Sequence, residues 1–85
     1  MKVQIYTRDT CMFCKKAKAW FAEHAIPYEE LDVSASPDFA AMKEKLNVTT
    51  VPQIIIDGHL IGGYDTLKEY EAPILEKLRK AYPAA

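Results

Sequence analysis

Both cysteines of this 85-residue chain lie in the segment Thr7-Arg8-Asp9-Thr10-Cys11-Met12-Phe13-Cys14-Lys15-Lys16, at Cys-x-x-Cys spacing. A strand-like run, Val3-Gln4-Ile5-Tyr6, precedes the segment, and apolar residues at helical spacing follow it. We therefore expect the cysteine pair at the point where a strand leads into a helix. In that context the motif indicates the redox chemistry of a dithiol.

The two cysteines differ in their expected reactivity. Cys11 falls at the helix N-terminus, where unpaired backbone N–H groups and the helix dipole stabilise a thiolate. Cys14 lies one turn further along, so it should be more buried and less acidic, yet close enough to attack a mixed disulfide on Cys11. The pattern predicts Cys11 as the nucleophile and Cys14 as the resolving thiol.

Composition restricts the classes of function. A chain of 85 residues, 49% of them hydrophobic, is expected to form a single domain over residues 1–85. The net charge of -1, with both signs interspersed, gives no support for binding nucleic acid or an anionic membrane. No apolar run approaches the roughly 20 residues of a membrane span, and the first residues predict a strand rather than a signal peptide. We expect a cytoplasmic protein, in which such closely spaced cysteines are catalytic or metal-binding rather than a structural staple.

Hydrophobic periodicity and turn residues predict the element order βαβαββα. Strands are expected at residues 3–6, 28–33, 53–56 and 59–61, helices at 11–24, at 36–47 and from 65, and a frayed tail at 82–85. The first two strands should be parallel because a helix connects them, whereas Asp57-Gly58 predicts a tight antiparallel hairpin. The residues expected to start, end or break helices are Asp9, Thr10, Pro27, Ser36, Pro37, Asp65, Thr66 and Pro73.

Three separate segments resemble the signature stretches of glutaredoxins: Cys11-Met12-Phe13-Cys14, Thr50-Val51-Pro52-Gln53-Ile54 and Gly62-Gly63-Tyr64-Asp65. They follow the family's order and spacing, and the match covers nearly the whole chain. The resemblance implies one glutaredoxin domain with a thioredoxin-like α/β fold, in which three helices flank a four-stranded mixed sheet. Met12 stands where the family's commonest pattern has proline, and Phe13 keeps an aromatic ring without a tyrosine hydroxyl.

The resemblance also implies a glutathione site. A cis bond before Pro52 would leave the Val51 backbone free to pair with the cysteinyl part of glutathione. The backbone of Asp65 and Thr66 would hold the γ-glutamyl carboxylate, and the Asp65 side chain would pair with the amino group. Arg8 would pair with the glycyl carboxylate or favour the thiolate. The glutathione-binding residues implied in this way are Arg8, Phe13, Thr50, Val51, Pro52, Gly63, Tyr64, Asp65 and Thr66.

Simpler interpretations of several residues stay open. Pro52 could be an edge-strand proline, Asp65 a helix cap and Arg8 a solvated surface charge. His24 and His59 lack zinc-ligand spacing to the cysteines and are interpreted as surface residues. The residues expected to pack in the core from helical spacing include Trp20, Phe21, Phe39, Leu67, Tyr70, Ile74 and Leu78.

The resemblance implies a glutathione-dependent thiol–disulfide oxidoreductase that reduces protein disulfides and glutathione mixed disulfides. Glutathione would be the reducing co-substrate, no metal would be required, and the protein would act as a monomer in cell redox homeostasis. Two alternatives stay open: a 2Fe–2S cluster carrier with Cys11 and glutathione as ligands in a bridged dimer, and an electron donor to ribonucleotide reductase supplied by thioredoxin reductase. A structural zinc site fails because the ligand set is incomplete.

Overall fold

The computed structural model describes residues 1–83, so Ala84 and Ala85, half of the predicted frayed tail, lie outside the described residues. The strands are β1 (Val3–Thr7), β2 (Glu29–Asp32), β3 (Gln53–Ile56) and β4 (His59–Gly62). The helices are α1 (Met12–Glu23), α2 (Ser36–Leu46), α3 (Tyr64–Glu69) and α4 (Glu71–Ala81). The observed order is therefore βαβαββαα, because the last predicted helix is divided into α3 and α4.

The strands form one mixed sheet in the order β2-β1-β3-β4. β1 and β2 pair in parallel orientation. β3 pairs with both β1 and β4 in antiparallel orientation. Asp57 and Gly58 adopt φ angles of 53° and 81° between β3 and β4, which are the positive values that a type I′ turn requires. The predicted four-stranded mixed sheet and its hairpin are confirmed.

Different helices cover the two faces of the sheet. Alternate residues of β1 and β3 point to the face covered by α1, α3 and α4, because successive side chains of a strand point to opposite faces. On the other face, Tyr6 of β1 shares a groove with Met42 of α2. Full burial of a large apolar side chain contributes about 1.5–3 kcal/mol to the stability of a fold. The main core consists of Val3, Ile5, Ala17, Trp20, Phe21, Ile26, Ile54, Ile56, Leu67 and Leu78.

α1 ends in a left-handed turn before the chain reaches Pro27, which was expected to end it. Ala25 has a φ of 55°, and its N–H donates to the carbonyl oxygen of Ala22 over 3.1 Å. The N–H of Ile26 donates to the carbonyl oxygen of Phe21 over 2.9 Å. These two bonds make a Schellman motif, which satisfies helix carbonyls without proline and directs Ile26 into the core.

The side-chain caps predicted for the later helices are absent. α2 follows the extended residue Ala35, so Ser36 is already helical and makes no capping bond. α3 follows Gly63, so neither Asp65 nor Thr66 caps it. Pro37 did not allow the first residue of α2 to be predicted, because the N–H groups of a first helical turn have no partner within the helix. Proline therefore fits any position of that turn.

The predicted break near Pro73 is confirmed, and it separates α3 from α4 at Tyr70. Proline has no N–H to donate to the residue four positions earlier, Glu69, and its ring would collide with that carbonyl. Tyr70 leaves helical geometry at the end of α3, and its side chain is 53% exposed, so its expected place in the core is wrong. Leu67 and Leu78 are buried as expected.

Glu30 joins β2 to β1 and α1. Its carboxylate accepts hydrogen bonds from Thr7 Oγ1 over 2.6 Å and from Lys18 Nζ over 2.9 Å. These two bonds, in that order of effect, hold the pKa of Glu30 below its ordinary value. The folded protein therefore takes up a proton at Glu30 less readily than the unfolded chain. The stability from this carboxylate is present above its unfolded pKa and is lost as the pH falls through the lowered one.

Glu30→Gln is expected to make the free energy of unfolding fall less steeply between about pH 5 and about pH 3. Urea denaturation at a series of pH values measures this slope. The matched control is Glu29→Gln in the same strand, because Glu29 is exposed and its carboxylate accepts a bond from the half-buried Gln4. Equal slopes in wild type and Glu30→Gln would contradict the assignment.

Candidate active site

Cys11 immediately precedes α1, and Cys14 lies within its first turn. The two residues are joined as a disulfide with their Cα atoms 5.2 Å apart. Cys14 is only 1% exposed, whereas Cys11 is half-buried. The burial difference predicted for the two cysteines is confirmed, and it leaves Cys11 as the sulfur that an outside molecule can reach.

The sulfur of Cys11 occupies the capping position predicted for Asp9 or Thr10. It accepts the backbone N–H of Cys14 over 3.0 Å. Asp9 instead donates its own backbone N–H to Ser34 Oγ over 2.9 Å. The cap prediction is wrong because a sulfur can accept the first-turn N–H in place of an oxygen. Once the disulfide is reduced, the same N–H and the helix dipole favour a thiolate at Cys11.

All the predicted glutathione-binding residues except Arg8 line one open pocket of about 220 Å³. The carbonyl oxygen of Val51 lies 3.7 Å from Cys11 Sγ, so the reactive sulfur stands at the edge of this pocket. The peptide bond between Val51 and Pro52 is cis, as the resemblance implies. We call this space the active-site pocket; it is lined by Phe13, Thr50, Val51, Pro52, Gly63, Tyr64, Asp65 and Thr66.

Two aromatic rings stand at one side of the active-site pocket. The ring centroids of Phe13 and Tyr64 are 6.2 Å apart, and Phe13 is 50% exposed. The ammonium group of Lys16 lies 5.1 Å from the centre of the Phe13 ring. A cation and an exposed ring therefore flank the helix turn that carries the cysteines.

Glycines bring the start of α3 against the loop before β3. Gly62 has a φ of 123°, and a Cβ at this position would lie 3.0 Å from Thr66 Oγ1. A Cβ on Gly63 would lie 3.4 Å from the carbonyl oxygen of Pro52. Asp65 is exposed here, and within residues 1–83 its carboxylate forms no ion pair. Its charge is therefore free to meet a cationic group in the pocket.

Gln53 supports the pocket loop, a role that we did not predict from the sequence. It is 5% exposed, and its Nε2 donates to the carbonyl oxygen of Thr50 over 2.9 Å and to Thr50 Oγ1 over 3.3 Å. These bonds hold the loop that contains Val51 against the start of β3. The available signal was one amide side chain at the head of the otherwise apolar strand Gln53-Ile54-Ile55-Ile56.

Arg8 lies outside the active-site pocket. Its guanidinium carbon is 4.4 Å from the centre of the Phe39 ring, and the ammonium group of Lys43 is 4.8 Å from the same ring. Phe39 is half-buried between these cations, which corrects its expected place in the core. Helical spacing did not reveal this because Met42, one turn later, is the residue of α2 that is fully buried.

The histidines lie away from the cysteines. The His24 ring packs on Trp20 with centroids 4.4 Å apart, and His59 is exposed on β4. Within residues 1–83, no three His, Cys, Asp or Glu side chains are grouped to hold a metal ion. In the same part of the chain, no helix has the length and apolar character needed to span a membrane.

Trp20 joins α1 to the C-terminal helices. It is 4% exposed, and its indole Nε1–H donates to the carboxylate of Glu71. The ammonium group of Lys68 lies 2.9 Å from the same carboxylate. The bonds from Lys68 and then Trp20 lower the pKa of Glu71, so the carboxylate stays charged where it links the helices. The predicted packing of Trp20 and Phe21 in the core is confirmed.

A cysteine pair at a strand-to-helix junction, beside a cis proline on a four-stranded mixed sheet, defines a dithiol redox protein of the thioredoxin-like fold. Residues 3–61 match the glutaredoxin family model. The chain is 39% identical over 74 residues to Glutaredoxin 3 of Escherichia coli K12, covering 82% of this chain and 86% of that protein. The chain therefore belongs to the glutaredoxin family of thiol–disulfide oxidoreductases. It is also 29% identical over 62 residues to the Glutaredoxin-like protein NrdH of Lactococcus lactis IL1403, covering 73% of this chain and 86% of the relative.

Solved structures agree with this assignment. Glutaredoxin 1 from Francisella tularensis, complexed with cacodylate, superimposes with a TM-score of 0.83 at 36% identity, covering 88% of this chain and 96% of that one. A buckwheat glutaredoxin–glutathione complex has a TM-score of 0.81 at 22% identity, covering 98% of this chain and 81% of that one. The buckwheat protein shares the fold, and its complex shows that a protein of this fold binds glutathione.

Proposed function

We propose that this protein is a glutathione-dependent thiol–disulfide oxidoreductase that reduces protein disulfides and glutathione mixed disulfides. One observation carries the proposal: the half-buried sulfur of Cys11 lies 3.7 Å from the Val51 carbonyl oxygen, at the edge of the active-site pocket. A tripeptide bound there by its backbone would bring its own sulfur to Cys11. The proposed location is the cytoplasm, where the dithiol is kept reduced, and the proposed active form is a monomer.

With a glutathionylated protein, the Cys11 thiolate attacks the glutathione sulfur and breaks the S–S bond. The protein thiolate leaves and takes up a proton, and Cys11 keeps glutathione as a mixed disulfide. A second glutathione thiolate attacks that mixed disulfide, which releases oxidised glutathione and restores the Cys11 thiolate. With a protein disulfide, the Cys11 thiolate attacks one of its sulfurs, breaks the S–S bond and forms a mixed disulfide with the protein, whose other sulfur leaves as a thiolate and takes up a proton. The Cys14 thiolate then attacks Cys11 Sγ, which forms the Cys11–Cys14 disulfide and releases the second protein thiolate, so that the protein is reduced. Two glutathione molecules then reduce the Cys11–Cys14 disulfide.

The proposal gives each part of glutathione a partner, two of them in the active-site pocket and one outside it. The Val51 backbone would pair with the cysteinyl residue as a short strand. The Asp65 carboxylate would pair with the γ-glutamyl amino group, beside the backbone N–H groups of Asp65 and Thr66. Arg8 would meet the glycyl carboxylate from outside the pocket, held by its stacking on Phe39.

The function is tested by following NADPH oxidation by glutathione reductase, with glutathione, the protein and the mixed disulfide of glutathione and 2-mercaptoethanol. We expect rapid turnover that depends on both glutathione and this protein. A folded, reduced protein that gives no turnover would contradict the proposal.

Asp65→Asn is expected to raise the KM for glutathione about tenfold, because a hydrogen bond between charged groups is lost. The fold should be unchanged, since Asp65 caps no helix. The same coupled assay measures the effect. Glu69→Gln is the matched control, because Glu69 is also exposed on α3 but does not line the pocket. Equal KM values for the two variants would exclude an ion pair with glutathione.

The similarity to the Glutaredoxin-like protein NrdH supports a second candidate, an electron donor to ribonucleotide reductase that is itself reduced by thioredoxin reductase. Replacing glutathione reductase and glutathione with thioredoxin reductase in the same assay separates the two. Turnover only with thioredoxin reductase would favour this candidate.

A further inference from the structure

A second groove lies between β4 and the C-terminal helices. We call it the β4 groove; its volume is about 400 Å³. Leu60 and Tyr70 at this groove are 42% and 53% exposed. Its lining includes Leu60, Ile61, Thr66, Tyr70, Ile74 and Lys77. All but Thr66 and Lys77 present mainly apolar surface.

Four of the five exposed large hydrophobic side chains within residues 1–83 form two groups, and Met1 is the fifth. Met12 and Phe13, which are 65% and 50% exposed, flank the active-site disulfide. Leu60 and Tyr70 flank the β4 groove. Grouped exposed apolar side chains mark interaction sites more often than single ones do.

The β4 groove adjoins the active-site pocket. Thr66 lines both spaces. Gly62 stands against this side chain, since a Cβ at position 62 would lie 3.0 Å from Thr66 Oγ1. A polypeptide that reacts at Cys11 and extends past Thr66 would therefore reach the β4 groove.

The charge of the β4 groove indicates what it binds. Lys77 is the one charged side chain in its lining, is exposed, and forms no ion pair within residues 1–83. A complementary ligand therefore combines a large apolar group with a carboxylate. The pairing of β3 with β4 shifts register between Ile54 and Ile55, and such a bulge makes a sheet edge less suitable for strand addition. Recognition is accordingly through side chains.

We propose that the β4 groove docks protein substrates by a large apolar side chain near the reacting cysteine, with Lys77 pairing with a carboxylate beside it. The inference rests on the proposed function and adds a sequence preference to it. Glutathione itself occupies the active-site pocket, so only a longer substrate chain reaches the β4 groove. Small mixed disulfides are therefore insensitive to changes in this groove.

Peptides with a glutathionylated cysteine test the preference. A Leu-Glu pair is placed two, four or six residues from the cysteine on either side, because an extended chain advances about 3.3 Å per residue. Matched peptides carry Leu-Lys or Ser-Ser instead. We expect the best Leu-Glu peptide to exceed its Ser-Ser counterpart about tenfold in kcat/KM, since a leucine side chain becomes buried.

Substitutions in the β4 groove provide a second test of the proposed docking site. Leu60→Ser should reduce the tenfold preference to about threefold or less, because it removes apolar contact. Lys77→Glu should reverse the preference between Leu-Glu and Leu-Lys peptides. Lys80→Glu is the control, because Lys80 is also exposed on α4 but does not line the groove. All three variants should turn over the 2-mercaptoethanol mixed disulfide as wild type does.

Binding without turnover separates this inference from the proposed function. Leu-Glu peptides with serine in place of cysteine are titrated while backbone amide NMR shifts are followed, and shifts at Leu60, Ile61 and Ile74 are expected. Such shifts with no turnover of any substrate would overturn the enzymatic proposal and with it the role in substrate docking. Three results would overturn the docking site alone: equal kcat/KM for all peptides, equal behaviour of Lys77→Glu and Lys80→Glu, or a dimer in sedimentation that Leu60→Ser dissociates.

Discussion

Cys11→Ser is expected to abolish turnover of both protein disulfides and glutathione mixed disulfides, with a loss on the order of a thousandfold or more in kcat/KM. A serine hydroxyl is not ionised at neutral pH and cannot form the mixed disulfide. The coupled NADPH assay measures the loss with each kind of substrate. Residual turnover above a hundredth of wild type would exclude Cys11 as the nucleophile.

Cys14→Ser is the matched variant, and its expected result differs between substrates. Deglutathionylation should persist, because glutathione can resolve the mixed disulfide on Cys11, whereas reduction of protein disulfides should be largely lost. The bond that Cys11 Sγ accepts comes from the backbone N–H of residue 14, so the substitution leaves it in place. Cys14 is 1% exposed, so urea denaturation must show that the variant folds. Loss of deglutathionylation in a folded Cys14→Ser protein would show that glutathione cannot act as the resolving thiol here.

Gly62→Ala is expected to lower the free energy of unfolding by about 2–3 kcal/mol, because an L side chain is strained at this backbone angle and also meets Thr66. The same change should raise the KM for glutathione, since Thr66 belongs to the pocket lining. Urea denaturation and the coupled assay measure the two effects separately.

The chain offers a control for this prediction at Gly58, which also has a positive φ, of 81°, but no atom within 4 Å of an added Cβ. Gly58→Ala should therefore show only the backbone cost, about 1 kcal/mol, and an unchanged KM. Equal destabilisation by the two substitutions would show that the contact with Thr66 adds nothing to the loss in free energy of unfolding. An unchanged KM in Gly62→Ala would separate the start of α3 from glutathione binding.

The features that the sequence predicted well are those determined by neighbouring residues. The hairpin at Asp57-Gly58 follows from a turn that needs two positive φ angles, and both are observed. The parallel pairing of β1 and β2 follows from the helix between them. The helix starts were predicted less well. Whether Ser36 or Ala35 is the N-cap residue of α2 depends on how the whole helix packs against the sheet.

In the candidate site, too, local features were predicted better than contacts between segments that are distant in sequence. The cysteine motif and its burial difference could be predicted from local pattern, since a helix turn determines which sulfur faces outward. The meeting of Val51 with Asp65 in one pocket was implied by family resemblance and not by any local rule. The stacking of Arg8 on Phe39 escaped prediction because it joins a loop to a separate helix, and sequence spacing carries no information on such a contact.

The bond between Trp20 and Glu71 has a spectroscopic consequence. Trp20 is the only tryptophan of the chain, and it lies in α1, the helix that begins directly after the reactive cysteine. All indole emission therefore comes from one buried side chain that is held against the C-terminal helices. Separation of α4 from α1 would bring water to this indole and shift its emission to longer wavelength. The protein thus carries a built-in optical reporter of the contact that fastens its last helix behind the active site.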